Sequence, residues 1–100
     1  MTFDPSKYSG FEWDAGNLAK SAAKHGVTPE EAEQVFGNAP LLAEADEGHS
    51  QAEPRWYALG RTNDRRRLFV AFAVRGSRIR VISSRPMSRK ERQAYGEAEK

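Results

Sequence analysis

The sequence predicts an α+β domain in which two helices precede a run of antiparallel strands and a third helix follows the strands. Three observations support this fold class. Helix-capping residues stand near both ends of the chain, strand-like segments rich in apolar residues lie between them, and 100 residues suffice for one core. We therefore expect a single domain over residues 1–100.

A short strand and the first helix open the domain. The segment "FEWD" (Phe11–Asp14) alternates apolar and acidic residues, as a short strand does. Asp14 can accept hydrogen bonds from the free amides of a first helical turn, so "AGNLAKSAAK" should continue as a helix that Gly26 ends. The apolar stripe of this helix consists of Leu18, Ala19, Ala22 and Ala23.

The second helix has stronger start signals. Thr28 is a good N-cap, Pro29 occupies the first helical position, and Glu31 completes a capping box. Val27 and Ala32 are spaced to form a hydrophobic staple across this helix start. The predicted buried face comprises Ala32, Val35 and Phe36, and Gly37 ends the helix.

Strand patterns follow. "LLAEA" is the first strand of this run, and the acidic loop "DEGHSQAEP" leads to the second, "RWYALGRT" (Arg55–Thr62). "RLFVAFAV" is apolar on both faces, so we expect it at the centre of the sheet. A tight turn at Gly76 and Ser77 should join it to "RIRVISSR" as a hairpin.

The third helix begins at a second capping box, formed by Ser88 and Glu91, and continues through "RKERQAYGEAEK". Its apolar face is thin, because only Ala94, Tyr95 and Ala98 contribute to it. Such a helix either packs loosely or waits for a partner.

Charge is distributed unevenly along the chain. Residues Thr28–Pro54 contain seven acids and no Lys or Arg, whereas Arg55–Arg92 contain twelve Lys and Arg against two acids. A basic half of this kind is typical of nucleic-acid binders. Arginines also keep small sheets soluble and their edges unpaired, and charge alone does not decide between these interpretations.

Several classes of function are excluded or disfavoured. The chain has no cysteine, so disulfides and thiolate metal sites are impossible, and it has neither a GxxxxGK phosphate loop nor a GxSxG elbow. Its longest apolar run, Leu68–Val74, is far below the ~20 residues that cross a bilayer. The N-terminus lacks the apolar core of a signal peptide. We expect a cytoplasmic protein with no membrane partner and no cofactor.

A metal site in the acidic loop is also disfavoured. Asp46, His49 and Glu53 are close in sequence and have the ligand types of a divalent metal site. Loop acids of this kind are more often solvated, so we expect no metal.

The last strand carries the basic residues that are most informative. Simple alternation places Arg78, Arg80, Ile82 and Ser84 on one face and Ile79, Val81, Ser83 and Arg85 on the other. Neighbouring guanidinium groups can bind successive phosphates. Trp56, Tyr57 and Tyr95 offer surfaces on which bases can stack, although Trp56 and Tyr57 point to opposite faces and one of them should be core.

His25 is a candidate proton carrier, because imidazole side chains suit proton transfer near neutral pH. It also follows Lys24 at a predicted helix C-terminus, where both cations complement the negative end of the helix dipole. On local sequence this structural role is the simpler interpretation.

Five segments together resemble the BrnT family, the toxin components of type II toxin–antitoxin modules. They are "FEWDAGN", "KHGVTPEEAEQVF", "DEGHSQAEPR", "GRT" and "RIRVISSRPMSRKERQAY". The resemblance runs roughly from Phe11 to Tyr95, and the KHGV block combined with a strand ending in ISxR before an ER–Y helix is specific. It implies a fold like that of the RelE ribonucleases, a small twisted antiparallel sheet with helices packed on it. It also implies RNA cleavage that stops translation, and a ribbon-helix-helix antitoxin (BrnA-like) through which the complex binds operator DNA.

Residue type and this resemblance together suggest a metal-independent endoribonuclease, in which an RNA 2′-hydroxyl attacks the adjacent phosphate. The catalytic candidates are His25, Lys24, Glu53, Arg61, Arg80, Arg85 and Tyr95. The RNA-binding candidates are Arg55, Arg78, Ser83, Ser84 and Arg89.

Two alternatives belong to other classes of function. Family members usually read close to "ISARKA" where this chain reads "ISSRPM", and Pro86 in place of lysine favours an inactive homologue that acts as a corepressor with its antitoxin. A DNA-binding module in its own right is the third interpretation. It is disfavoured because no element groups the Asn, Gln and Arg residues that read base edges.

Overall fold

The computed structural model describes residues 3–49 and 53–100, with the side chains of Ala15, Asn17, Leu18, Ser21 and His49 left undescribed. Within these residues the fold has five strands and three α-helices. The strands are β1 (Gly10–Trp13), β2 (Leu42–Ala45), β3 (Arg55–Arg61), β4 (Arg67–Arg75) and β5 (Arg78–Pro86). The helices are α1 (Ala15–His25), α2 (Pro29–Gln34) and α3 (Arg89–Glu99), with short 3-10 turns at Pro5–Lys7, Val35–Gly37 and Glu47–His49.

The strands form one sheet in the order β1-β5-β4-β3-β2. The apolar strand β4 lies at its centre, as predicted, and the two-residue turn at Gly76 and Ser77 joins β4 to β5. The prediction of an antiparallel sheet is wrong in one place, because β1 pairs with β5 in parallel and the sheet is mixed. Parallel neighbours need a long connection, and the chain between Trp13 and Arg78 supplies it.

The helix starts follow the predicted caps. The amide of Gly16 donates to Asp14 Oδ1 at 2.9 Å at the start of α1. In α2, the amide of Glu31 donates to Thr28 Oγ1 at 3.2 Å while the amide of Thr28 donates to Glu31 Oε1 at 3.0 Å, so the capping box is complete. Gly26 adopts φ 63° and ends α1 as expected.

The core lies between one face of the sheet and the α2 region. The predicted face of α2 and the turn after it, Ala32, Val35 and Phe36, is buried there. Phe36 meets Phe72 edge to face with ring centroids 5.0 Å apart, and Phe3 approaches Phe72 at 4.9 Å. Edge-to-face pairs stabilise by roughly 0.5–1.5 kcal/mol beyond burial. This aromatic cluster anchors the first residues described to the central strand.

Trp56 and Gly60 show how closely β3 approaches the core. Trp56 is buried while its neighbour Tyr57 is only partly so, which confirms that one of the two aromatics is core. A β-carbon added at Gly60 would lie 2.3 Å from Val35 Cγ1, so only glycine lets β3 pass this close to the 3-10 turn.

Among the side chains that are described, those of α1 and α3 bury little apolar surface. Ala19, Ala22 and Ala23 of the predicted α1 stripe are exposed, and the side chain of Leu18 lies outside the described part. In α3 only Tyr95 is buried. No helix in the described residues is both long and apolar enough to span a bilayer.

Candidate functional site

A β-bulge in β5 determines which side chains share a face. Ala71 pairs with Ser83 but Phe72 pairs with Val81, so Ile82 is an extra residue in β5. The alternation changes phase at this point. The prediction that Arg85 and Ser83 face away from Arg80 is therefore wrong, since all three lie on the face opposite the core.

The same bulge turns Ser84 inwards. Ser84 pairs with Val70 and is fully buried, so it is not available to a ligand on the opposite face. We call the face of the sheet opposite the core, as the strand register defines it, the basic face. It carries Arg55, Arg61, Arg67, Arg75, Arg78, Arg80 and Arg85.

Glu53 organises one end of the basic face. Its carboxylate accepts from Arg80 at 3.4 Å and from Arg75 at 3.3 Å. Glu12 lies 3.8 Å from Arg75 and Asp14 lies 3.9 Å from Arg80, which adds two acids from the β1 region. The structure therefore brings the predicted residues Glu53 and Arg80 together.

Arg85 is held at the centre of the basic face. Its two terminal nitrogens donate to the two oxygens of Glu91 at 2.8 and 2.9 Å, and one of them also donates to the Pro86 carbonyl at 3.1 Å. The guanidinium carbon lies 4.1 Å from the ring centre of Phe69, whose other neighbour is Tyr57 at 5.7 Å. Stacking and the bidentate pair together fix the plane of the guanidinium.

Glu91 performs two tasks with one carboxylate. It accepts from the Ser88 amide at 2.7 Å as part of the α3 capping box, and it also binds Arg85. The hydrogen bonds from Arg85 are the main cause that lowers the pKa of Glu91 below its ordinary value of 4.5, and the Ser88 amide adds to the effect. The first turn of α3 is thus linked directly to Arg85.

We expect Glu91→Gln to weaken the acid dependence of stability. Because the pKa of Glu91 is lowered in the folded state, its ionisation stabilises the fold above the unfolded-state pKa, and this stabilisation is lost as pH falls through the folded-state pKa. Glutamine keeps the cap but loses the ion pair, at a cost of about 1 kcal/mol at pH 7 for a pair that is partly exposed. Urea unfolding at pH 7, 5 and 3 measures this.

The matched control is Glu97→Gln, since Glu97 lies in the same helix with its side chain 75% exposed. It should reproduce the wild-type pH profile. A Glu91→Gln profile parallel to that of the wild type would show that the Arg85–Glu91 pair does not stabilise the fold.

Arg61 occupies the other end of the basic face. It pairs with Glu99 of α3 at 3.2 Å, and Arg67 pairs with the second oxygen of the same carboxylate. The C-terminal turn of α3 is therefore tied to β3 and β4. The exposed residue Arg89 begins the same helix.

His25 and Lys24 are the last two residues of α1, with Lys24 exposed and His25 half-buried. The guanidinium of Arg66 donates to the His25 carbonyl at 3.2 Å and to the Gly26 carbonyl at 3.0 Å, and pairs with Glu31 at 3.1 Å. These contacts hold the end of α1 against the start of β4.

Tyr95 offers no exposed surface to RNA. Its side chain is fully buried and its hydroxyl donates to the Pro40 carbonyl. Burial raises the pKa of the Tyr95 hydroxyl, so it remains a donor. In this arrangement Tyr95 cannot stack on a base, and the role suggested by residue type is replaced by anchoring of α3.

The acidic loop offers little to a metal in the part that is described. Glu53 binds arginines, and the side chain of His49 lies outside the described residues. Among the residues that the structure does describe, no three His, Cys, Asp or Glu side chains cluster with metal-ligand geometry.

The fold and the basic face define a small α+β protein with an arginine-rich sheet, and its fold is similar to that of a solved ribonuclease toxin. The 1.1 Å crystal structure of the Brucella abortus ribonuclease toxin BrnT matches this chain with a TM-score of 0.57 and 26% identity, covering 80% of this chain and 97% of that one. The family model for the ribonuclease toxin BrnT of type II toxin–antitoxin systems matches residues 13–91. No curated protein sequence matches.

The chain therefore belongs to the BrnT family of ribonuclease toxins. Membership of a type II system implies an antitoxin partner. The resemblance seen in the sequence is confirmed.

Proposed function

We propose that this protein is an endoribonuclease that binds the RNA backbone on the basic face and cleaves it beside Arg80 and Arg85. The observation that carries the proposal is the bulge at Ile82, because it adds Ser83 and Arg85 to the face that already bears Arg78 and Arg80. Four side chains of one strand can then contact successive phosphates and riboses. Arg55 lies two strands away on the same face and extends the track.

The chemistry that suits this surface is attack of the RNA 2′-hydroxyl on the adjacent phosphate. Arg80 and Arg85 are placed to stabilise charge on the pentavalent transition state, and Arg61 extends the positive field. Glu53 is in contact with Arg80, which places a proton acceptor beside the phosphate-binding group. His25 is the second proton carrier that we propose, with Lys24 beside it. The groups to which we assign charge stabilisation and proton transfer are all side chains. We therefore propose that the reaction needs no metal.

The biological consequence that we propose is inhibition of translation in the cytoplasm. The mixed sheet with helices around it also supports a relation to the RelE ribonucleases. We propose that a BrnA-like ribbon-helix-helix antitoxin neutralises the toxin and that operator DNA is bound only through that complex.

The test uses antitoxin-free protein, a labelled single-stranded RNA and EDTA. Wild type should cleave and leave 2′,3′-cyclic phosphate ends, and Arg80→Ala should lower the rate by about a hundredfold. Lys7→Ala is the charge-matched control, since Lys7 is exposed in the N-terminal 3-10 turn, and it should cleave as wild type does.

Three outcomes would contradict parts of the proposal. Loss of wild-type cleavage in EDTA, restored by magnesium, would refute metal independence. Ends with a 5′-phosphate would refute attack by the 2′-hydroxyl. No cleavage of free or ribosome-bound RNA would refute the endoribonuclease itself.

A further inference from the structure

An open groove runs beside Arg85, between the edge strand β2 and helix α3. Its volume is about 790 Å³, and this space extends around β2 to the core side of the sheet, where Phe3, Ala43 and Ala58 line it. The part beside the basic face is lined by Leu42, Glu44, Tyr57, Leu59, Phe69 and Ala94. Across the groove, the guanidinium of Arg85 lies on β5, the aromatic rings lie on β4 and β3, and the exposed carboxylate of Glu44 lies on β2.

The strand register places the floor of this groove on the basic face. Leu42 pairs with Leu59, and Glu44 pairs with Tyr57, so these side chains project from the same side as Phe69 and Arg85. Leu42 is 37% exposed and is the one large hydrophobic side chain in the described residues that is exposed. The floor is therefore an accessible apolar surface that continues the basic face.

We propose that this groove is a nucleobase-binding subsite, in which Tyr57 and Phe69 stack with a base whose phosphate is bound by Arg85. The proposal rests on the proposed ribonuclease function and deepens it. Tyr57 and Arg85 lie two strands apart and two residues out of register, so their backbones are roughly 12 Å apart. One nucleotide spans a distance of this order between its phosphate and the far edge of its base.

Charge determines which part of a nucleotide each end of the site accepts. Glu44 on the groove rim repels a phosphate, whereas the uncharged base carries no such penalty. Arg85, in contact with Phe69, is the cation nearest the aromatic floor and takes the phosphate. Aromatic rings stack with any base, so stacking gives affinity without selectivity.

Glu44 supplies the selectivity. An ionised carboxylate is an acceptor only, and it pairs with the amino groups of guanine, cytosine or adenine. Uracil has carbonyl oxygens where those bases have amino groups, and it offers one N–H. The subsite should therefore prefer bases that carry an amino group over uracil.

The experiment uses short single-stranded RNA that carries one 2-aminopurine, scanned across positions, and follows fluorescence quenching and affinity. In wild type, one position should be strongly quenched by stacking. Tyr57→Leu should abolish that quenching and weaken binding at least about fivefold, whereas Tyr57→Phe should retain both. Wild type should bind RNA with an amino-bearing base at this position more tightly than RNA with uracil there. Glu44→Gln should reduce that ratio of affinities about tenfold.

The salt dependence of binding separates this subsite from the phosphate contacts. Tyr57→Leu should leave the slope of log affinity against log salt unchanged, whereas Arg85→Ala should flatten it by about 0.7. Urea unfolding checks that each variant is folded, and Tyr57→Phe keeps the test valid if the leucine variant is unstable.

The results that overturn the subsite are distinct from those that overturn the ribonuclease. Suppose that wild type binds and cleaves RNA. If Tyr57→Leu then retains the quenching, or if Tyr57→Phe loses it as well, the subsite is refuted and the ribonuclease proposal stands. If Tyr57→Leu affects only antitoxin binding, the groove belongs to the antitoxin. If wild type neither binds nor cleaves RNA, both proposals fall.

Discussion

Arg85→Ala should lower the rate of RNA cleavage by about a hundredfold or more, and Arg85→Lys should recover little of it. The reason lies in how Arg85 is held. The Glu91 carboxylate engages both terminal nitrogens, and the ring of Phe69 lies against the guanidinium plane. A lysine ammonium supplies the same positive charge. It cannot reproduce the planar guanidinium, whose orientation Glu91 and Phe69 fix.

Single-turnover cleavage of a labelled RNA measures this effect, with Lys7→Ala as the control of equal charge change. Glu91→Gln provides an intermediate case, because it keeps Arg85 and removes the ion pair while leaving its contacts with Phe69 and the Pro86 carbonyl. It should reduce cleavage less than Arg85→Ala does. Full activity of Arg85→Ala would show that Arg85 takes no part in the reaction. Full activity of Arg85→Lys would show that the positive charge at this position is sufficient.

The structure shows that Pro86 is compatible with the position of Arg85. The sequence departs from the family pattern here, and the loss of a lysine suggested an inactive homologue. Pro86 is the last residue of β5, opposite Leu68, and its carbonyl accepts a hydrogen bond from Arg85. A proline restricts the residue before it to extended backbone, which is the conformation that Arg85 has in the strand. The substitution removes a charge but leaves Arg85 in position.

The elements that sequence analysis predicted correctly are those that depend on neighbouring residues. The capping boxes at Thr28 and Ser88 each satisfy amides within one turn, so the chain needs no distant partner to specify them. The hairpin turn at Gly76 is equally local, since glycine alone adopts its φ of 59° at little cost. The apolar run of β4 required a central position because both of its faces had to be covered.

The features that were missed depend on residues far apart in sequence. Nothing within Gly10–Trp13 specifies a parallel partner 68 residues later. The bulge at Ile82 contains no glycine that would have indicated it, and a single extra residue reverses the face of every later side chain. Site residues Glu91 and Glu99 were missed for a related reason. Glu91 was accounted for by its cap, and Glu99 meets Arg61 only after α3 has folded back.

Tyr95→Ala should destabilise the fold by about 3–5 kcal/mol and also lower cleavage, although Tyr95 does not touch RNA in our proposal. Tyr95 is fully buried, and it is the one α3 residue that is buried. Without it, α3 loses its buried contact with the sheet and its hydrogen bond to the Pro40 carbonyl, while the ion pairs near its two ends remain. Since Glu91 in the first turn of α3 orients Arg85, loosening this helix should also loosen the guanidinium.

Tyr95→Phe is the variant that separates packing from chemistry. It keeps the ring and loses the hydrogen bond to the Pro40 carbonyl, so it should cost about 1–2 kcal/mol and leave cleavage close to that of wild type. Urea unfolding gives the stabilities, and cleavage is measured where both variants are folded. If Tyr95→Phe retained its stability but lost cleavage, the hydroxyl would belong to the chemistry, as residue type alone had suggested. Anchoring of α3 would then be an incomplete account of this residue.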